Sequence, residues 1–209
     1  MKGQFITVEG TEGVGKTTNI ACIEKWLTDK GIPYLATREP GGTLLGEKVR
    51  ELLLDRENTG MDPTAELLLM FAARAQHLAE KIIPALEAGQ WVLCDRFTDA
   101  TYAYQGAGRG LNCEHIASLE HIVQGSLRPD FTLILDIEPE QGMARVRKRG
   151  EVDRFEAENV VFFDRVRDGY QACIAKAPER YCLVDAGETL PQVQKAVIHA
   201  LNTFANRCA

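Results

Sequence analysis

The sequence predicts an α/β fold, a five-stranded parallel sheet flanked by helices on both faces, and three observations carry that prediction. Five short apolar runs alternate with longer stretches of helical period. Three of the runs end in aspartate, at Asp95, Asp136 and Asp185, which puts polar side chains at the strand carboxyl ends, where such sheets bind ligands. Apolar residues make up 45% of the 209, enough for one core that needs no disulfide or metal to hold it.

In chain order the strands are Phe5–Glu9, Tyr34–Thr37, Trp91–Asp95, Phe131–Asp136 and Tyr181–Asp185. The first helix carries Ile20, Ile23, Trp26 and Leu27 at helical spacing, and Gly31 with Pro33 closes it. Asp62-Pro63 opens a long helix running towards Pro84. Glu138-Pro139 and Leu190-Pro191 start two more, because a proline in the first helical turn lacks only an N–H that has no intrahelical partner there. No repeat or long linker divides the chain, so residues 1–209 read as one domain. The least core-like stretch, 145–155, crowds Arg145, Arg147, Lys148, Arg149 and Arg154 around Gly150 against only Glu151 and Asp153.

Thirty acids against 24 bases give a net charge of −6, which argues against a general nucleic-acid or membrane-surface binder. Any polyanion must be held by local cations. The six cysteines are scattered, with no Cys-x-x-Cys pair and no Cys/His cluster at ligand spacing, as expected of small core residues in a reducing compartment. The apolar run before Glu9 is too short for a signal peptide, so a cytoplasmic protein is expected.

Gly10-Thr11-Glu12-Gly13-Val14-Gly15-Lys16-Thr17 matches G-x-x-x-x-G-K-[ST] at every fixed position, between a strand and a helix as the motif requires. Glycines let the backbone wrap an anion so that successive N–H groups and the helix N-terminus face phosphates. Lys16 supplies a point charge, Thr17 a hydroxyl for Mg²⁺ between the β and γ oxygens, and Thr18 extends the ATP-binding set. No asparagine is followed by lysine, so the Asn-Lys-x-Asp guanine reader is absent and ATP is the expected nucleotide.

Further along stand Arg38-Glu39-Pro40-Gly41-Gly42-Thr43, Phe71 with Arg74, Asp95-Arg96-Phe97, and Ala103-Tyr104-Gln105-Gly106 followed by Gly108-Arg109-Gly110. With these the sequence resembles bacterial thymidylate kinase over essentially its whole length, in the branch with an acidic residue in the phosphate loop and arginines in the lid. The resemblance implies a P-loop nucleoside-monophosphate-kinase fold with a short basic lid, ATP and dTMP as substrates, Mg²⁺, and a homodimer. It also implies that Glu12 meets the acceptor's 3′-hydroxyl, and that Tyr104 crowds the sugar 2′ position. Ala100 stands where the family usually has serine, which makes Thr101 the expected hydroxyl donor to the base, beside Gln105.

The residue types suit those roles independently. Phe71 and Arg74 lie one helical turn apart, a flat ring beside a forked donor that suits a pyrimidine and its carbonyl. Arg96, after a buried strand, can hold the acceptor phosphate bidentately, and Asp95 can support Mg²⁺, with Asp136 second for that role. Arg38, Pro40 and Arg50 complete the expected acceptor site. Arg149, followed by Arg147 and Arg154, is expected to reach the transferred phosphoryl group from a segment able to close over it. The acceptor oxygen of a monophosphate is already an anion, so no general base is required, and the four histidines, His77 among them, need no catalytic role. A deoxynucleoside kinase of the same fold, or a non-catalytic nucleotide switch, is the alternative; the residues around Arg74, Arg96 and Tyr104 weigh against both.

Overall fold

The computed structural model describes residues 3–58, 60–150 and 153–208, except the Arg149 side chain. Five parallel strands, β1 (Phe5–Glu9), β2 (Tyr34–Arg38), β3 (Trp91–Asp95), β4 (Phe131–Asp136) and β5 (Tyr181–Asp185), form one sheet in the order β2-β3-β1-β4-β5. The expected fold is borne out, and the strand bounds agree except that β2 runs one residue further, because Arg38 stays in register with Asp95. Order reverses around β1, so the carboxyl ends of β1, β3 and β4 border the crevice in which such sheets take ligands.

Both sheet faces are covered, which is why the strands read as apolar runs and not as alternating patterns. On one face Ile6, Val8, Leu133 and Leu135 pack with Ile23 and Leu27 of α1 (Lys16–Asp29) and Val197 and Leu201 of α9 (Leu190–Cys208). On the other, Phe5, Val92 and Cys94 meet Leu78, Ile82, Leu86 and Phe97. Each fully buried aliphatic or aromatic side chain contributes about 1.5–3 kcal/mol.

The remaining helices are α2 (Leu44–Leu54), α3 (Pro63–His77), α4 (Ile83–Glu87), α5 (Thr98–Thr101), α6 (Cys113–Gln124), α7 (Pro139–Arg149) and α8 (Val160–Lys176). Asp62 caps α3 as its sequence suggests, its carboxylate accepting from the Thr64 and Ala65 N–H groups. The long helix does not stop at Pro84. A wider π turn over Leu78–Ile82 precedes the proline, and the helix continues as α4 to Glu87. A second π turn, Tyr102–Gly108, extends α5 and packs against α8. Of the stretch 145–155, expected to be the least core-like, residues 145–149 continue α7, and Val146, Arg154 and Phe155 within it are buried.

Candidate active site

The phosphate loop leaves β1 at Gly10 and enters α1 at Lys16, with Gly10, Gly13 and Gly15 at φ of 138°, 75° and 82°, a region that side-chain-bearing residues rarely adopt. A Cβ on Gly13 would stand 2.1 Å from the Gly142 carbonyl oxygen. Helix α7 therefore lies directly against the loop, and one turn later the Arg145 guanidinium reaches the carbonyls of Gly13 (3.4 Å) and Ala186 (3.0 Å). Lys16 Nζ donates to the Thr11 carbonyl at 3.2 Å and stands 3.9 Å from Glu12 Oε2. Burial and the neighbouring Arg96 charge lower its pKa, and Glu12 opposes them.

Arg96, which follows β3, has a φ of 67°, the one left-handed non-glycine residue among those described. Two contacts hold this turn: Arg96 N donates to the Val8 carbonyl at 3.0 Å, and Phe97 N donates to Glu9 Oε1 at 2.6 Å. The turn carries the guanidinium back over the loop. Nη1 donates to the Gly10 carbonyl (2.7 Å) and the Tyr170 hydroxyl (3.0 Å), and Nη2 to Glu12 Oε1 (2.6 Å). The Tyr104 ring lies under it at 4.7 Å, and the Tyr104 hydroxyl donates to the same Glu12 oxygen at 2.9 Å. Glu12 thus faces both a cation and a neutral donor.

Glu9 is fully buried at the end of β1. Burial first, then the nearby Asp99 charge, push its carboxyl up to about 8, against the lowering effects of Arg96, Tyr170 and the Phe97 N–H. An acid whose folded pKa is raised binds more protons folded than unfolded between its ordinary value near 4.5 and about 8, so stability falls as pH rises through that window. Glu9→Gln removes the titration. The melting temperature of the variant relative to the parent is expected to climb from pH 5 to pH 8, and parallel curves over that range would disprove the shift.

A second set converges from α3 and α5. Arg74 lies between the Phe71 and Phe97 rings, at 4.8 and 5.0 Å. Its Nε donates to Glu39 Oε2 at 2.7 Å and its Nη2 to Thr101 Oγ1 at 3.0 Å; Nη1 is buried without a partner. Thr101 accepts there, so its own hydroxyl proton remains available to a ligand. Both sets line one cavity of about 620 Å³, within the usual range for a small-molecule site. Lys16, Thr17, Asp95, Arg96, Arg74, Thr101 and Gln105 all line it.

A phosphate loop and a forked guanidinium share one cavity, and comparison with known proteins identifies the family to which the chain belongs. The family model for thymidylate kinase matches residues 8–197. The chain belongs to the thymidylate kinase family. It is 59% identical over 204 residues, 98% of its length and all of the relative's, to a thymidylate kinase of Teredinibacter turnerae. A thymidylate kinase of Pseudomonas putida is 55% identical over 208 residues, spanning the whole of this chain and 99% of that protein. The crystal structure of a thymidylate kinase from Ehrlichia chaffeensis superposes with a TM-score of 0.78 at 35% identity, covering 97% of this chain and 99% of that one.

Several residues expected in a thymidylate kinase site are brought to the cavity: Glu12, Gly13, Gly15, Lys16, Thr17, Thr18, Pro40, Arg50, Arg74, Asp95, Arg96, Thr101, Tyr104 and Gln105. Arg50 is held by the Pro40 carbonyl at 2.9 Å. Gly10 and Thr11 contribute carbonyls, and Val14 is buried in the core beneath the loop. Arg38 is instead half exposed, in an ion pair with Glu47 at 2.8 Å.

Between the two aspartates the geometry discriminates. Asp136 is held bidentately by Arg167, at 2.8 Å through each oxygen, whereas Asp95 Oδ1 is buried with no hydrogen-bond partner.

Phe71 corrects the expectation placed on it. Its ring is buried against Leu67 and Ile116, and Met70 lines the cavity in its place. At 100° per residue, Met70 lies about 40° from Arg74 around the helix and Phe71 about 60° on the other side, a distinction that one-turn spacing alone does not make. Arg154 is not aimed at the loop either. Only 8% exposed, it donates through Nε to the Leu53 carbonyl (2.7 Å) and pairs through Nη2 with the buried Glu66 (2.7 Å). Arg147 is exposed on α7, and the Arg149 side chain and Glu151 lie outside the described residues.

Sequence reasoning did not single out Met70 or Arg145, nor Glu39 and Phe97 as individuals within the motifs it quoted. The signal for Met70 was its i, i+4 spacing to Arg74, and for Arg145 its place one turn beyond Gly142.

Proposed function

We propose how the residues divide the reaction of this thymidylate kinase, which transfers the γ-phosphoryl group of ATP to dTMP to give dTDP and ADP. The observation that carries the assignment is the single cavity shared by the phosphate loop and the Arg74 set. The loop N–H groups and Lys16 hold the ATP phosphates. Arg96 takes the acceptor phosphate with its fork, Arg50 supports it, and Glu12 and Tyr104 meet the sugar. Arg74, Thr101 and Gln105 read the base, with Met70 and Phe97 as apolar walls.

Thr17 and Asp95 fit Mg²⁺, since a buried carboxylate oxygen without a partner suits a bound cation or its water. When bound, the metal neutralises charge on the β and γ oxygens. Arg145, Arg147 and Arg149, on the helix that abuts the loop, supply cations to the migrating phosphoryl group, and residues 145–155 act as the lid of a single domain. No general base is needed, because the attacking oxygen is an anion; positioning and charge neutralisation do the rest.

ADP release with ATP and Mg²⁺ across a panel of nucleosides and monophosphates tests this reading. dTMP is expected to be the best acceptor. Some dUMP activity should remain, because one methyl in an apolar pocket is worth about 1–3 kcal/mol. Stimulation by thymidine and not by dTMP would sink the assignment. The chain works in the cytoplasm on this reading, and among the described residues no helix is long and apolar enough to cross a membrane. It works as a homodimer, for which the exposed Leu45 and Leu52 on α2 and Leu68 on α3 offer apolar surface. Sedimentation of the same preparation as a single chain would remove the dimer.

A further inference from the structure

The guanidinium of Arg74 is oriented by a buried chain of side chains that starts on another element. Strand β2 delivers Thr37 and, just past its end, Glu39; the last turn of α3 delivers Arg74 and His77. Glu39 sits between the latter two, Oε2 accepting from Arg74 Nε at 2.7 Å and Oε1 lying 2.9 Å from His77 Nδ1. An ionised carboxylate only accepts, so Nδ1 carries the proton. His77 Nε2, 2.7 Å from Thr37 Oγ1, then accepts the Thr37 hydroxyl proton in the neutral ring.

The ring has no room to turn. His77 is fully buried, and a Cβ on Gly42 would stand 2.5 Å from Nε2 and 2.6 Å from Cδ2, so the loop backbone presses on its edge. At the far end of the chain Arg74, which lines the cavity, is 2% exposed, with Nε and Nη2 engaged and Nη1 buried without a partner. Glu39 therefore sets which edge of the fork is offered, and His77 sets Glu39.

We propose that His77, backed by Thr37, is a positioning residue for acceptor selection, acting through Glu39 on Arg74. The inference rests on the reading of Arg74 as the reader of the acceptor base. A guanidinium misplaced by 1 Å or less loses most of its directional hydrogen bond, whereas the ATP end of the cavity is untouched.

Steady-state kinetics of four variants test it, with Arg74→Ala testing the reading itself. Arg74→Ala is expected to raise the dTMP KM about 100-fold, in line with loss of a charged hydrogen bond in a buried site. His77→Leu is expected to raise it roughly 10-fold, with the ATP KM and the saturated kcat within about 2-fold of the parent. His77→Asn, whose amide nitrogen reaches the Nδ1 position, recovers most of the loss, and Thr37→Val raises the dTMP KM a few-fold, about 3-fold. The last two variants carry the test if His77→Leu does not fold.

An unchanged dTMP KM in Arg74→Ala overturns the reading and the inference with it. A large effect there, with no effect in the His77 and Thr37 variants, overturns the inference alone. An ATP KM that rises in step with the dTMP KM also overturns it, since that marks a general packing role, and so does a parent-like melting temperature in His77→Asn without kinetic recovery, since the Nδ1 donor is then not what sets dTMP binding.

Discussion

Lys16→Ala is expected to leave between about one hundredth and one thousandth of the turnover while the protein keeps its fold. Lysine at this position begins α1 with its ammonium against the Thr11 carbonyl, on the wall of the cavity, where the proposed function puts the donor phosphates. Charge aimed at a site of developing negative charge is worth about 10²–10³ in rate per group. Lysine is also the point charge of a loop whose other donors are backbone N–H groups.

Stability responds in the opposite sense. The pKa of Lys16 is lowered in the folded protein, chiefly by burial, so the fold disfavours its charge, and removing it costs the fold nothing electrostatically. Far-ultraviolet circular dichroism of Lys16→Ala should match the parent, with a melting temperature equal or higher, and a coupled ADP assay should find almost no turnover. Turnover near the parent value would take the loop out of the reaction.

How much of this was legible in the sequence depends on how local each determinant is. The central strands β1, β3 and β4 are buried on both faces and so write themselves as apolar runs, while β2 and β5 lie half-buried at the sheet edges; even the extra residue of β2 follows from pairing with Asp95. The phosphate loop is equally local, eight consecutive residues whose glycines and lysine each have one task. Arg74, Arg96, Thr101 and Tyr104 stood in readable motifs and do share a cavity.

What escaped depends on rotation about a helix or on partners distant in the chain. Met70 and Phe71 both satisfy one-turn spacing to Arg74, and only packing against Leu67 and Ile116 decides which one turns inward. Arg154 is one cation in a basic run until Glu66, on α3, buries it in an ion pair. His77 looked idle because its partners, Thr37 and Glu39, lie at the end of β2. Pro84 read as a stop because nothing in the sequence announces the π turn that lets the helix continue past it.

Arg96→Ala is expected to lower kcat/KM for dTMP by about 10²–10³ while leaving the ATP KM within a few-fold of the parent. Truncating one partner of a buried, hydrogen-bonded charge pair costs about 2–5 kcal/mol, because the other charge is left unpaired. Here the partner left behind is Glu12, 2.6 Å from Nη2, which would keep Lys16 at 3.9 Å but lose its nearest cation. Tyr104 loses the cation over its ring as well, and with it a constraint on the wall beside the sugar. Arg96→Lys keeps the charge without the fork and recovers only part of the loss.

The backbone supplies the control that separates these effects from damage to the turn. Arg96 sits at φ 67°, where alanine is strained by about 1–2 kcal/mol and glycine is not. Arg96→Gly and Arg96→Ala should therefore lose the same activity towards dTMP, while the glycine variant melts higher than the alanine variant. If glycine restored activity, the turn and not the guanidinium would be what dTMP requires. If both variants changed only the dependence on ATP, Arg96 would belong to the donor and not to the acceptor.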